Sequence, residues 1–144
     1  MKKKKKIKLN GSYIPSDKEE FMNPKQIEYF KNLLVSWKKD LLNGSSLTIS
    51  NLKEESSNKP DNADRASIES ERSLELRTRD RERKLLSKIN KALKKIEEGT
   101  YGYCEDTNQP ISIKRLIARP IATLSLEAQE MHEKSEKIFK EKEY

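Results

Sequence analysis

Of 144 residues, only one is cysteine, one histidine, four glycine and five proline, and aromatic residues make up 6%. The single Cys104 cannot close an intramolecular disulfide. So few Gly and Pro exclude a turn-rich all-β protein. One His and one Cys, with no Gly-rich phosphate loop and no recognisable triad, argue against an enzyme. No apolar run reaches the ~18–20 residues that span a membrane. The lysine-rich start leads into Ile7-Lys-Leu-Asn-Gly11 and not into an apolar signal core, so the expected compartment is the cytosol. Hydrophobic residues amount to 33%, fewer than a compact globule of this size usually carries. Helices sharing a narrow apolar seam are the expected solution.

Charge is what the chain has in abundance. Charged residues make up 38%, and the formal net charge is +7 with a pI near 9.4. That balance suits an acidic partner such as nucleic acid, a nucleotide or an acidic protein groove. Lys2 to Lys6 supply most of the excess, however, and the remainder is close to neutral. A basic terminus is more often a solvated tail than a nucleic-acid contact. There is no helix-turn-helix pattern, so sequence-specific DNA binding is not expected.

Residues 1–20 are expected to form a flexible basic tail, with Tyr13, Ile14 and Phe21 as its possible anchors. The first helix starts at Asn23, a capping residue whose side chain can accept from the Gln26 amide while Gln26 reaches back. Pro24 suits the first helical position, and Met22 with Ile27 fits a hydrophobic staple. Ile27, Phe30, Leu34, Trp37 and Leu41 then recur at heptad spacing, and Leu33 and Leu42 widen the stripe. The pattern fades after Gly44, and the helix is expected to end by about Leu52. Residues 53–60 are polar and close on Pro60, which marks a turn. Asp61 is a good N-cap for a second helix from about Asn62 to Glu98, stopped by Gly99. Leu86, Ile89, Leu93 and Ile96 form its seam. Continued backwards, the same register falls on Glu82, Arg79, Glu75 and Arg72, so the seam is apolar at its base and polar beyond. Residues 99–103, 110–113 and 121–124 look like short strands, and 114–118 a helical turn. Ser125 should cap a last helix over 126–142.

The chain is therefore mainly α. It comprises a long antiparallel helical hairpin, or coiled coil, over 21–98 with an acidic tip at 53–66, and a small module with a C-terminal helix over 99–144. Two carboxylates, Asp61 and Asp64, lie at the tip. By themselves they are explained as an N-cap and a favourable first-turn charge.

Five segments carry a resemblance. They are Phe-Met-Asn-Pro-Lys-Gln at 21–26, Pro-Asp-Asn-Ala-Asp-Arg-Ala at 60–66, Ser-Leu-Glu-Leu-Arg-Thr-Arg-Asp-Arg-Glu-Arg-Lys-Leu at 73–85, Tyr-Gly-Tyr-Cys-Glu at 101–105 and Arg-Leu-Ile-Ala-Arg-Pro at 115–120. Together they resemble the DksA/TraR family of bacterial RNA polymerase-binding transcription factors. The resemblance implies a monomeric regulator that binds the rim of the polymerase secondary channel and inserts the hairpin toward the active centre. Such a factor destabilises open complexes, at ribosomal RNA and amino-acid-biosynthesis promoters among others, and is strengthened by guanosine tetraphosphate. In the family's tip motif the acidic residues and the alanine are functional, and they match Asp61, Asp64 and Ala66, with Arg65 carried alongside. The alarmone's basic contacts match Lys88 and Arg119, while a third, a lysine in the family, is Gln129 here. A transcript-cleavage factor also uses an acidic coiled-coil tip in that channel, and a basic nucleic-acid-binding protein is a further alternative.

One departure is clear. The family's Cys-x2-Cys…Cys-x2-Cys zinc positions are occupied here by Cys104, Thr107, Ser125 and Ala128. Structural zinc takes four N or S ligands, so no zinc is expected, and even His132 would bring the set only to two. The resemblance points to the family's cysteine-poor, zinc-independent branch. Apolar packing among Tyr101, Tyr103, Ile111, Ile113, Leu116 and their neighbours is expected in the metal's place.

Overall fold

The computed structural model describes residues 7–55 and 62–142, without the side chains of 45–55 and 62–64. Four helices follow one another: α1 Pro24–Glu55, α2 Asn62–Glu98, α3 Ile113–Ala118 and α4 Leu126–Lys142. Among the described residues there is no strand. The strand expectations fail because the chain there is held by turns, with one isolated antiparallel bridge between Tyr103 and Pro110. Residues 121–124 likewise form bends and turns. The packing divides the chain into one unit of Met1–Leu34 with Ala92–Tyr144 and a second of Val35–Lys91.

In the first unit the start of α1 forms as its sequence dictates. Asn23 Oδ1 accepts from the Gln26 amide at 2.9 Å. Gln26 reaches back one residue further than a capping box requires, accepting from Met22 N–H at 2.9 Å. The reason is local: the Asn23 amide is already given to Glu20, and Met22, at φ 52°, presents its own N–H instead. Gln26 is fully buried and also donates to the Ser16 carbonyl at 3.2 Å. Residues 13–20, expected to be part of a flexible tail, hold these contacts, whereas Ile14, an expected anchor, is 68% exposed. α2 ends in a Schellman motif: Gly99 takes φ 78°, its amide bonds Ile96 O, and the Thr100 amide bonds Lys95 O at 2.9 Å. The Tyr101 hydroxyl donates to Pro120 O at 2.7 Å inside a core with Ile111, Ile113, Leu116 and Ile121. Tyr103, expected in that core, is exposed, as is Leu126 at the start of α4. Ser125 Oγ accepts from the Ala128 amide at 3.2 Å, the cap expected for α4. Beyond its first turn α4 is exposed throughout, including Met131, Ile138 and Phe139.

In the second unit α1 and α2 run side by side, with Leu41 and Leu42 facing Leu76 and Leu86 across a shallow groove. α1 continues to Glu55, three residues into the expected turn, because no helix breaker precedes Pro60. The heptad register holds along α2. Arg72, Glu75, Arg79 and Glu82 are each half-buried while Leu74 and Leu76 are exposed. The seam thus continues in polar side chains beyond Ile89, which is fully buried.

Candidate functional site

The residues expected at the tip lie largely outside the described side chains. Asp61 lies outside the described residues, and Asp64 is described only as backbone within α2. Arg65 and Ala66, the next residues of α2, are exposed to solvent.

A second feature lies further along α2, and the sequence reading missed most of it. Arg77, Arg81, Lys84, Lys88 and Lys91 recur at spacings of 4, 3, 4 and 3 and are all exposed. Such spacing puts them in one row on a helix, opposite the Glu75–Arg79–Glu82 seam. From Arg77 to Lys91 the row spans roughly 20 Å. None of the five makes an ion pair among the described residues. Asp80, the carboxylate one turn before Lys84, is instead tied to Arg83 at 2.9 Å. A row of cations with its neighbouring carboxylate engaged elsewhere is complementary to an acidic surface. Counting Lys and Arg at heptad spacing would have found it. Only Lys88 of this row was singled out, as an alarmone contact.

Lys88 belongs to the second unit and Arg119 to the first, and each is exposed. The Arg119 backbone amide bonds Arg115 O at 2.8 Å, and its guanidinium has no hydrogen-bond or ion-pair partner among the described residues. Gln129, in place of a third cation, donates to Glu133 at 3.3 Å.

Three of the four metal positions, Cys104, Thr107 and Ser125, meet at a sulfur without forming a metal site. Cys104 is buried, at 1% exposure. Burial pushes its thiol up, but the Thr107 hydroxyl and the backbone amides of Ser125, Thr107 and Asp106 donate to the sulfur and outweigh it, bringing the pKa down to about 6. The Thr107 hydroxyl is thus directed at the sulfur, Ser125 Oγ is engaged in capping α4, and Ala128 offers no donor atom. His132, one turn beyond Ala128, pairs with Asp106 at 2.5 Å. Among the described residues no cluster of three His, Cys, Asp or Glu side chains could hold a metal ion. One thiolate and a set of hydrogen-bond donors do not fit tetrahedral zinc.

Comparison with known proteins bears on both features. The family described as DnaK suppressor protein DksA, N-terminal domain, matches residues 26–96. The family described as prokaryotic dksA/traR C4-type zinc finger matches residues 99–134. The RNA polymerase-binding transcription factor DksA of Caulobacter vibrioides is 55% identical over 131 residues, covering 91% of this chain and 92% of that protein. The protein of the same name from Escherichia coli K12 is 45% identical over 119 residues, covering 83% of this chain and 79% of that one. Among solved structures, transcription factor DksA2 from Pseudomonas aeruginosa superposes with a TM-score of 0.76 at 38% identity, over 81% of this chain and 90% of that one.

Proposed function

The chain belongs to the DksA/TraR family, and on that premise we propose that it is a regulator of transcription that acts by binding RNA polymerase. Relatives of this sequence are named as RNA polymerase-binding transcription factors, which is a non-enzymatic role. The regulator works in the cytoplasm as a monomer. It docks at the rim of the secondary channel and carries the hairpin turn toward the active centre, where it destabilises open complexes. The row Arg77–Arg81–Lys84–Lys88–Lys91 is the observation that carries the docking, because an exposed, unpaired cationic row seeks an acidic surface. The tip then brings Asp61, Asp64, Arg65 and Ala66 to the active centre, where carboxylates near a catalytic metal or mobile loops shift the local field. Guanosine tetraphosphate strengthens the effect, with Lys88 and Arg119 as its cations and Gln129 weakening the response. No zinc takes part.

Transcription in vitro from a ribosomal RNA promoter tests this reading. Wild type and Asp64→Asn are compared with and without guanosine tetraphosphate, and polymerase binding is measured in parallel. Asp64→Asn is expected to bind polymerase as wild type does and to lose most of the inhibition. Equal inhibition by the two proteins would reject the tip's role.

A further inference from the structure

The turn over residues 101–110 is the part of the fold that a zinc ion would organise, and it lacks the ligands. Its internal bonds are few. Cys104 N–H bonds Gln109 O at 2.9 Å, Asn108 N–H bonds Cys104 O at 2.9 Å, and Ile111 N–H bonds Gly102 O at 2.7 Å. Beyond the turn it has Glu105 N–H on Thr123 O at 2.9 Å, the Ser125 amide on the Cys104 sulfur, the Asp106–His132 pair and, from the end of α2, Lys95 on Glu105 at 2.6 Å. A ten-residue turn with so little regular structure needs a further constraint.

The N-terminal segment supplies one. The Phe21 ring meets Tyr103 edge-on, with centroids 5.3 Å apart at 77°. Met22 and Phe21 lie so close to Gly102 that a Cβ there would come within 2.8 Å of Met22 Cε and 3.1 Å of Phe21 Cζ. Gly102 itself holds φ 91°, a conformation open to glycine at little cost. On its other side the turn begins at Tyr101, whose ring packs on Phe30 at 5.6 Å. The segment that delivers Phe21 and Met22 is itself held. Gln26 fixes both the Met22 amide and the Ser16 carbonyl, and Glu19 ties Tyr13 to Asn23.

We propose that residues 13–23 form a clamp that holds the 101–110 turn in place of a metal ion, with Phe21 and Met22 as its contacts. The proposal rests on the zinc-free reading above. A metal fixes such a turn by tying its cysteine to the start of the following helix. The clamp fixes it by closing over Gly102 and Tyr103 from the opposite end of the chain. Loss of the clamp therefore leaves the turn with no metal and only its few hydrogen bonds and ion pairs.

Thermal unfolding of the full-length chain, followed by circular dichroism with and without a zinc chelator, tests it. Wild type is expected to melt at the same temperature in both conditions. The double variant Phe21→Ala with Met22→Ala should melt lower by on the order of 10 °C, as loss of two packed side chains from a small unit predicts. Ile14→Ala, on the same segment but exposed, should melt as wild type does. The rescue arm restores the ligands through Thr107→Cys, Ser125→Cys and Ala128→Cys. With zinc added, the clamp variant in that background should recover at least half of the lost midpoint.

A clamp variant that melts like wild type overturns the proposal while leaving the zinc-free reading in place. So does a restored-ligand chain that binds zinc yet recovers nothing, since the clamp would then have some other task. A wild-type midpoint that falls on chelation, together with stoichiometric zinc in the purified protein, overturns the zinc-free reading itself.

Discussion

Glu19 accepts from the Tyr13 hydroxyl at 2.6 Å and from Asn23 Nδ2 at 3.1 Å. Both donors favour the carboxylate, so its pKa lies below the ordinary 4.5. Burial, the same bond and the charge of Glu19 push the Tyr13 phenol up to about 12. The two shifts define a pH window. A depressed carboxylate stabilises the fold above its unfolded pKa, and that contribution is lost as pH falls through the folded value. A raised phenol stabilises below about 10, and its contribution is lost as pH rises through about 12. Glu19→Gln keeps an acceptor but loses the charge. It should be less stable than wild type at neutral pH, and the difference should shrink as pH falls below the carboxylate range. Urea midpoints of both proteins at pH 7, 5 and 3 would show this, and a difference independent of pH would refute it. Little of this network is legible in the sequence. Asn23 as a cap follows from its spacing to Gln26, but the Tyr13–Glu19 bond joins residues six apart in a stretch without periodicity. Gly102 looks like an ordinary turn glycine until Phe21 and Met22 are seen against it.

The helices were legible because each carries redundant signals. α1 has a cap, a first-position proline and a heptad stripe; α2 has a stop at Gly99; and α4 has Ser125. The boundary that moved most, the end of α1, is the one with no cap and no breaker close by. The expected strands failed for a matching reason, since four or five β-prone residues without a partner ladder do not make a sheet. The polar half of the α2 seam was also legible, and it has a consequence. Glu75 turns its side chain toward the seam, and its Oε2 is buried with no hydrogen-bond partner among the described residues. An unsatisfied buried polar atom costs about 1–3 kcal/mol. Glu75→Leu removes that atom and adds apolar contact in register with Leu86 and Ile89. It is expected to stabilise the second unit by about 1 kcal/mol, read as a higher urea midpoint with an unchanged slope. A lower midpoint would show that Glu75 makes a favourable contact in solution. If function needs a seam that opens readily, the same variant should regulate less well while folding better.

At the scale of the whole chain the formal charge of +7 is a poor guide to where a partner binds. Lys2–Lys6 hold most of the excess at one terminus, outside the described residues. The α2 row is different: its five cations share one helix face and are spaced by the helix itself. Fixed charges facing a complementary surface contribute to both approach and retention, and they weaken with salt as the Debye length shortens from ~10 Å at 0.1 M to ~3 Å at 1 M. Polymerase affinity should therefore fall with ionic strength, and the two basic regions should separate on mutation. Reversing Arg77 and Arg81 together to Glu places like charge against an acidic surface and should weaken binding by at least about tenfold, equivalent to ~1.4 kcal/mol. It should also flatten the salt dependence. Replacing Lys2–Lys6 with serines removes more charge but leaves the α2 row intact, and should change affinity by no more than about twofold. Titrations of labelled polymerase at two salt concentrations distinguish the cases. If the terminal variant lost more affinity than the row variant, docking would depend on net charge and not on the face that α2 presents.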